Sequence, residues 1–542
     1  MILCGITLAA CGSASARDWP MWGGSPSRNM AADEKGLPAT FDTGKTPAAT
    51  FDLAAARNLK WVAKLGTLAC GSPVVAGGHV YVGTNNANPR DPKYQGEYGI
   101  LLCLDEATGN FLWQLAIPVV PTDVAGIYYP GLGLCSSPTV EGNRLYLISN
   151  RNEVLAVSAG GMGDKNEGPF RDEETYFATP ASQRLSPFVM HEGNAYRVPP
   201  GRPIVDVRPS RHPLKLGPTD ADVLWRYDLM NRLSVWPHDA VASAPLVVGD
   251  LVFVCSGNGA DNTHRNIPSP RAPTLLAFNK KTGALVAADD ARIGPRILEG
   301  TWSSPALAQV GGRALVIVGG PDGICYAFDA ASARSPREGE PGVLEKVWWC
   351  DCNPPAARYK DRAVVKFPSR TGPSEIVATP VVYKDRVYVA IGQDTRHGPA
   401  SGRLVCINAA GTGDLTESGV VWQYDKICRS LSTASIAGGL VFIADMTGTI
   451  HCLDADTGAV RWTFETKGVT SGSTLVADGK VYLGNERGDL WALAAEPELK
   501  VLGKTYLGSA IHSTPVAANG VLYVTTSKYL FAFAITGGKE SP

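Results

Sequence analysis

The chain has no surplus of charge of either sign, with 50 Lys and Arg set against 51 Asp and Glu in 542 residues. A protein that gathers nucleic acid or anionic lipid by long-range attraction needs a basic surface. Neither polyanion is therefore expected as a partner. No segment holds the ~18 continuous apolar residues of a membrane span. A G-x-S-x-G elbow, a P-loop and an H-E-x-x-H helix are all missing, which removes the nucleophile-elbow, nucleotide-cradle and zinc-protease readings. Histidine is scarce, at 8 residues, and no His or Cys spacing marks a metal centre, so no metal ligand is named.

What is abundant is turn chemistry. With 59 Gly and 39 Pro, the chain suits many short strands joined by tight loops. At 44% hydrophobic and 19% charged it has the make-up of a globular protein with a large core. Residues 1–16 are apolar or small and end in Ala14-Ser15-Ala16, a signal-peptidase pattern. Overlapping it, Leu8-Ala9-Ala10-Cys11 resembles a lipobox. The expectation is export to the periplasm, with the chain either secreted or anchored to the outer membrane through lipid on Cys11.

Internal repetition decides the fold. The clearest unit runs from Leu440 through Leu453-Asp454-Ala455-Asp456-Thr457-Gly458 to Trp462, and recurs at Leu101 to Gly109 with Trp113, and at Leu275 to Gly283. Altered copies lie at Gly323–Asp329, Leu404–Asn408, Val154–Val157, Leu490–Leu493 and Tyr529–Phe533. That makes eight. Before each stands a strand pair opened by a small residue and Ser/Thr, often with Pro, as at Gly71-Ser72-Pro73, Ser136-Ser137-Pro138 and Ser303-Ser304-Pro305. Four strands per copy predict an all-β, eight-bladed β-propeller of four-stranded antiparallel blades.

An outer-strand motif at Asn58 to Ala63 precedes the first complete blade, and the last blade has none after it. The N-terminal strand is thus expected to close the last blade, which removes exposed edges. The division expected is a signal segment at 1–16, an extension at 17–54, the propeller at 55–534 with a long insertion at 159–222, and a tail at 535–542.

The Leu-Asp-Ala-x-Thr-Gly…Trp signature resembles the pyrroloquinoline-quinone (PQQ) repeat of quinoprotein dehydrogenases and of BamB-like assembly lipoproteins. Phrases such as Trp236-Pro237-His238, Trp302-Ser303-Ser304-Pro305 and Gly392-Gln393-Asp394 are similar to a secreted PQQ-binding-like group of planctomycete-type bacteria. The dehydrogenase resemblance implies PQQ beside a Ca²⁺ held by Glu, Asn and Asp, with two adjacent cysteines forming a ring next to the cofactor. This chain has no Cys-Cys pair. Glu153, Asn258, Asp261 and Asp394 are available oxygen donors, but their neighbours do not match the family's motifs. Loop Asp and Asn residues commonly serve turns instead.

Cys103, Cys406 and Cys452 share one repeat position where other blades place Ala, and are expected as core packing. Cys350-Asp351-Cys352 is too small a set for zinc and suits a disulfide to another loop. Residues that lead into the inner strands should converge on the propeller axis. They are Cys70, Cys135, His238 with Asp239, Trp302, Arg429 and His512. The candidate cofactor- or ligand-binding set is Trp302, Arg429, His238, Asp239 and His512, suited to a small anionic or aromatic ligand. Trp302 either stacks on a flat ring or simply fills the channel.

The leading functional expectation is a non-catalytic, monomeric binding or scaffold protein that acts through its rim loops and axial funnel on a protein or small ligand. The alternatives are a PQQ-dependent dehydrogenase of alcohols or sugars, and an outer-membrane assembly scaffold.

Overall fold

The computed structural model describes residues 17–44, 51–119, 129–180, 208–261, 264, 266–297, 299–334, 340–355, 374–394 and 401–535, and the backbone of Ser182–Leu185, Val189–His191, Ala195–Arg197 and Val205–Arg208. The expected signal segment 1–16, with Cys11, and most of the tail lie outside these residues.

Eight four-stranded antiparallel meanders form a β-propeller. Blade 1 spans Val74 to Pro118, blade 2 Thr139 to Asp228, blade 3 Leu246 to Ala288 and blade 4 Ala306 to Asp351. Blade 5 spans Val381 to Tyr424, blade 6 Ser435 to Glu465 and blade 7 Leu475 to Tyr506. Blade 8 takes three strands from Val516 to Phe533, and its outer strand is the N-terminal Leu59–Lys64, paired antiparallel with Tyr529–Phe533. The insertion between the last two strands of blade 2 holds two short hairpins and the helix Glu173–Tyr176.

The repeat signature joins blade to blade. The outer-strand tryptophans Trp61, Trp113, Trp225, Trp422 and Trp462 each donate an indole N–H to a carbonyl at the turn of the following blade, at 2.9 to 3.1 Å. In that turn Asp454 accepts from the Thr457 amide and hydroxyl. Gly458 follows at φ +71°, and a Cβ there would stand 2.6 Å from the Trp422 ring. Glycine is needed both for the left-handed backbone and for the ring laid over it. Cys103, Cys406 and Cys452 are buried at the expected repeat position.

The Ser/Thr at the head of each inner strand builds a second seam around the axis. The amides of Ala244, Ser304, Thr379, Thr433, Ser473 and Thr514 donate in turn to the hydroxyls of Ser304, Thr379, Thr433, Ser473, Thr514 and Ser72, at 2.8 to 3.3 Å. Each bond crosses from one blade to the next. Ser137 continues the belt by donating to the Ser72 carbonyl at 2.9 Å. Between blades 2 and 3, where Ala244 offers no hydroxyl, Ser136 and Thr139 donate to the carbonyls of Ser243 and Pro245 instead. Each bond contributes about 1 kcal/mol net, and together they fix the ring's inner diameter.

The N-terminal extension crosses the axial channel beside this belt and touches every blade. Trp19 exchanges backbone bonds with Val75. The carbonyls of Pro20, Pro26, Ser27 and Met30 accept from the amides of Val140, Leu307, Val382 and Val476. Asn29 brackets Ile436, and Glu34 accepts from the Gly520 amide. Arg28 is completely buried and donates to the carbonyls of Pro305, Pro245 and Trp22, each at 2.8 Å. Burial pulls its pKa down to about 9. Inner strands would otherwise leave backbone groups facing the channel, and the extension satisfies them while closing one end.

Candidate functional site

With one end closed, the axis holds a cavity of about 440 Å³, within the size range of small-molecule sites. The Ser/Thr belt surrounds it and Trp22 lines its closed side, its indole N–H bonded to Thr379 Oγ1 at 3.1 Å. The loops that lead into the inner strands supply the remaining wall: Cys70, Cys135, Trp302, Arg429, Leu431 and His512. Trp302 is fixed by its indole N–H, which is shared between the carbonyls of His238 and Ala240 at 3.2 and 3.1 Å.

Of the five expected site residues, the structure brings Trp302, Arg429 and His512 together on this wall. His238 and Asp239 do not line it. The loop turns at Asp239, whose φ is +54°, and the His238 ring packs behind Trp302 with centroids 5.7 Å apart. Asp394 lines the cavity. Glu153 is instead buried in blade 2, paired with Arg226 at 2.7 Å and accepting from the Tyr176 hydroxyl. Asn258 accepts from the Trp236 amide and donates to the Ser269 carbonyl, and Asp261 accepts from Asn266.

Sequence reasoning missed Glu375, Glu299 and His264. Arg429 places one guanidinium nitrogen 2.8 Å from Glu375 Oε1 and the other 2.8 Å from Asp394 Oδ2. Burial pushes the Glu375 pKa up to about 7; Arg429 opposes this, and Glu299 and Asp394 add to it. Across the cavity His512 lies 3.5 Å from Glu486, whose carboxylate raises the imidazole's pKa. The Cys70 and Cys135 thiols interact. Donation from Cys135, assisted by the nearby His512, lowers the Cys70 pKa against the effect of burial, and raises that of Cys135.

These residues do not fit PQQ with Ca²⁺. A hard cation needs several oxygen donors, yet Arg429 already occupies Glu375 and Asp394. The quinone's carboxylates would need cations, and both Arg429 and His512 already carry a carboxylate partner. What the wall offers is an aromatic face, a hydroxyl ring and two paired ionic groups.

Residues 357–464 and 414–501 match the family model described as outer membrane protein assembly factor BamB. The chain is similar to the quinohemoprotein alcohol dehydrogenase ADH IIB of Pseudomonas putida, 25% identical over 320 residues, which are 49% of this chain and 44% of that protein. It is also similar to the serine/threonine-protein kinase AfsK of Streptomyces griseus, 38% identical over 105 residues, 17% of this chain and 13% of that one. The chain thus spans less than half the length of either curated relative. The crystal structure of BamB from Moraxella catarrhalis superposes with a TM-score of 0.51 at 13% identity, covering 87% of this chain and 98% of that one, a likeness of fold alone. Blade geometry identifies the chain as an eight-bladed β-propeller, and residues 357–501 within it match the PQQ-type, BamB-like repeat model.

Proposed function

We propose that this propeller is a non-catalytic binding protein that takes a small, flat, aromatic ligand into its axial cavity. The observation that carries this reading is the cavity itself, closed on one side by the N-terminal extension and walled by Trp302, the hydroxyl belt and mutually paired ionic groups. An aromatic ring gains stacking on Trp302, and the belt and ionic pairs supply a few orienting hydrogen bonds. Because Arg429 and His512 are each balanced by a carboxylate, a neutral ligand suits the wall better than an anion. Export, with action in the periplasm or at the outer membrane, accords with the BamB-type repeat match and with the leader-like N-terminus. Among the described residues no helix is long and apolar enough to cross a membrane.

A dehydrogenase reading draws support from the adjacent thiols Cys70 and Cys135 on the same wall as Trp302, and from the partial similarity to a quinohemoprotein enzyme. An assembly-scaffold reading draws on the BamB-type match alone. Calorimetric titration of the purified protein with PQQ, with and without Ca²⁺, followed by dye reduction with alcohols and sugars, separates them. The binding reading predicts no Ca²⁺-dependent step and no turnover. Ca²⁺-dependent binding with turnover would replace it with the dehydrogenase.

A further inference from the structure

Behind Trp302, outside the cavity wall, three side chains from well-separated parts of the chain meet. His238 and Glu299 are completely buried and His264 is partly buried. Their ligand atoms, one from each, all lie within 4.8 Å of one another. His238 Nε2 stands 3.1 Å from Glu299 Oε2, and His264 Nδ1 stands 2.6 Å from the same oxygen. The two imidazoles are nearly perpendicular, with centroids 4.8 Å apart.

The tautomer of His238 is the informative point. Its Nδ1 lies 2.8 Å from the Ala260 carbonyl, which can only accept, so Nδ1 carries the proton. In the neutral ring Nε2 then presents a lone pair. That atom is buried and forms no hydrogen bond, with Glu299 Oε2 3.1 Å away. A lone pair and a carboxylate oxygen held 3.1 Å apart repel unless a positive charge sits between them. An imidazole that donates one nitrogen to a backbone carbonyl and aims the other inward has the arrangement found at metal-ligating histidines.

Glu299 is buried, which makes its negative charge costly and suits it to a cation. We propose that His238 Nε2, His264 Nδ1 and Glu299 Oε2 bind a divalent first-row transition ion of the Zn²⁺ class. Two imidazoles and one carboxylate suit such an ion and not Ca²⁺ or Mg²⁺, which take oxygen ligands. Bonds of ~2.1 Å place neighbouring ligand atoms about 3.0–3.4 Å apart. The His238–Glu299 distance already matches; His264, 2.6 Å from Glu299 Oε2 in a set that spans up to 4.8 Å, must shift away from the carboxylate and towards His238 and release its Nδ1 proton. Asp239, with Oδ2 3.8 Å from His238 Nε2, stands close enough to serve as a further ligand or to hold a bound water. The ion would clamp the His238 loop whose carbonyls hold Trp302, and so stiffen one wall of the cavity.

The site is tested on full-length protein purified without a histidine tag, stripped with a chelator and titrated with Zn²⁺, Co²⁺ and Ca²⁺. The proposal predicts one Zn²⁺ per chain, a raised Tm, a visible Co²⁺ ligand-field band and no response to Ca²⁺. His264→Ala and Glu299→Gln should each weaken Zn²⁺ binding at least about 100-fold, and His212→Ala, at an exposed position, should not. Absence of both Zn²⁺ binding and the Co²⁺ band in the wild-type protein would overturn it, as would unchanged Zn²⁺ affinity in a folded His264→Ala variant. Should both variants fail to fold, the wild-type Co²⁺ spectrum decides alone.

Discussion

Replacing Arg28 by Met should release the N-terminal extension from the axis. The guanidinium donates to three carbonyls at 2.8 Å, two of them, Pro245 and Pro305, on blades 3 and 4 and the third, Trp22, within the extension itself. Charge-assisted bonds of this kind are worth about 1.5–3 kcal/mol each. The cost of holding a guanidinium in a dry site, visible in its lowered pKa, returns part of that on removal. Methionine fills the stem's volume but leaves the carbonyls without donors. A net loss of about 3–5 kcal/mol follows, and it falls first on the extension, which is held chiefly by edge-to-edge backbone bonds. The amides of Val140, Leu307, Val382 and Val476 donate to extension carbonyls and report its departure. Their hydrogen exchange should accelerate by about 10²-fold or more, since each 1.4 kcal/mol is a factor of ten. Arg28→Lys, which keeps the charge but loses the fork, should fall between. If the four amides exchange as slowly in Arg28→Met as in the wild type, the extension is not pinned by this residue and the reasoning fails.

Other consequences are as direct. Glu375 has a pKa near 7 in the folded chain against ~4.3 unfolded. The folded state therefore holds the extra proton between these values, and stability should fall as pH rises through about 5 to 7. Glu375→Gln cannot ionise, and its denaturant midpoint should lack that decline; an identical pH profile in both proteins would discount the buried-acid account of Glu299, Asp394 and Arg429 around it. Gly458→Ala forces a Cβ onto Trp422 at positive φ and should cost about 1–3 kcal/mol in urea unfolding. A neutral result would mean the turn can shift. Cys70, whose pKa is lowered by Cys135 and His512, should be the first thiol alkylated by iodoacetamide in the folded protein, as read by peptide mass spectrometry. Equal labelling of the buried Cys103 or Cys452 would contradict the assignment.

The propeller was legible because a blade's chemistry repeats. Asp454, Gly458 and Trp462 have partners at matching positions elsewhere in the chain, so the count of blades and the closure by Leu59–Lys64 followed from register. The same register located Cys70, Cys135, Trp302, Arg429 and His512, since each leads into an inner strand. It misplaced His238 and Asp239, because the left-handed turn at Asp239 carries the loop behind Trp302. The plug was illegible. Its bonds are mostly backbone carbonyls, which any sequence provides, and Arg28 looks like any surface arginine until its surroundings are known. Glu299, Glu375 and His264 lie in different loops and meet only in the folded ring, so no spacing along the chain could group them.

The axial cavity as a ligand site is tested most directly by titrating wild-type protein and Trp302→Ala with a series of planar, neutral aromatic compounds in a calorimeter. The account predicts one binding event per wild-type chain for at least one member, weakened about tenfold or more in the variant, as expected for loss of ring stacking and its buried area. Affinity for that compound unchanged in folded Trp302→Ala, or no member bound by wild-type protein, would contradict it.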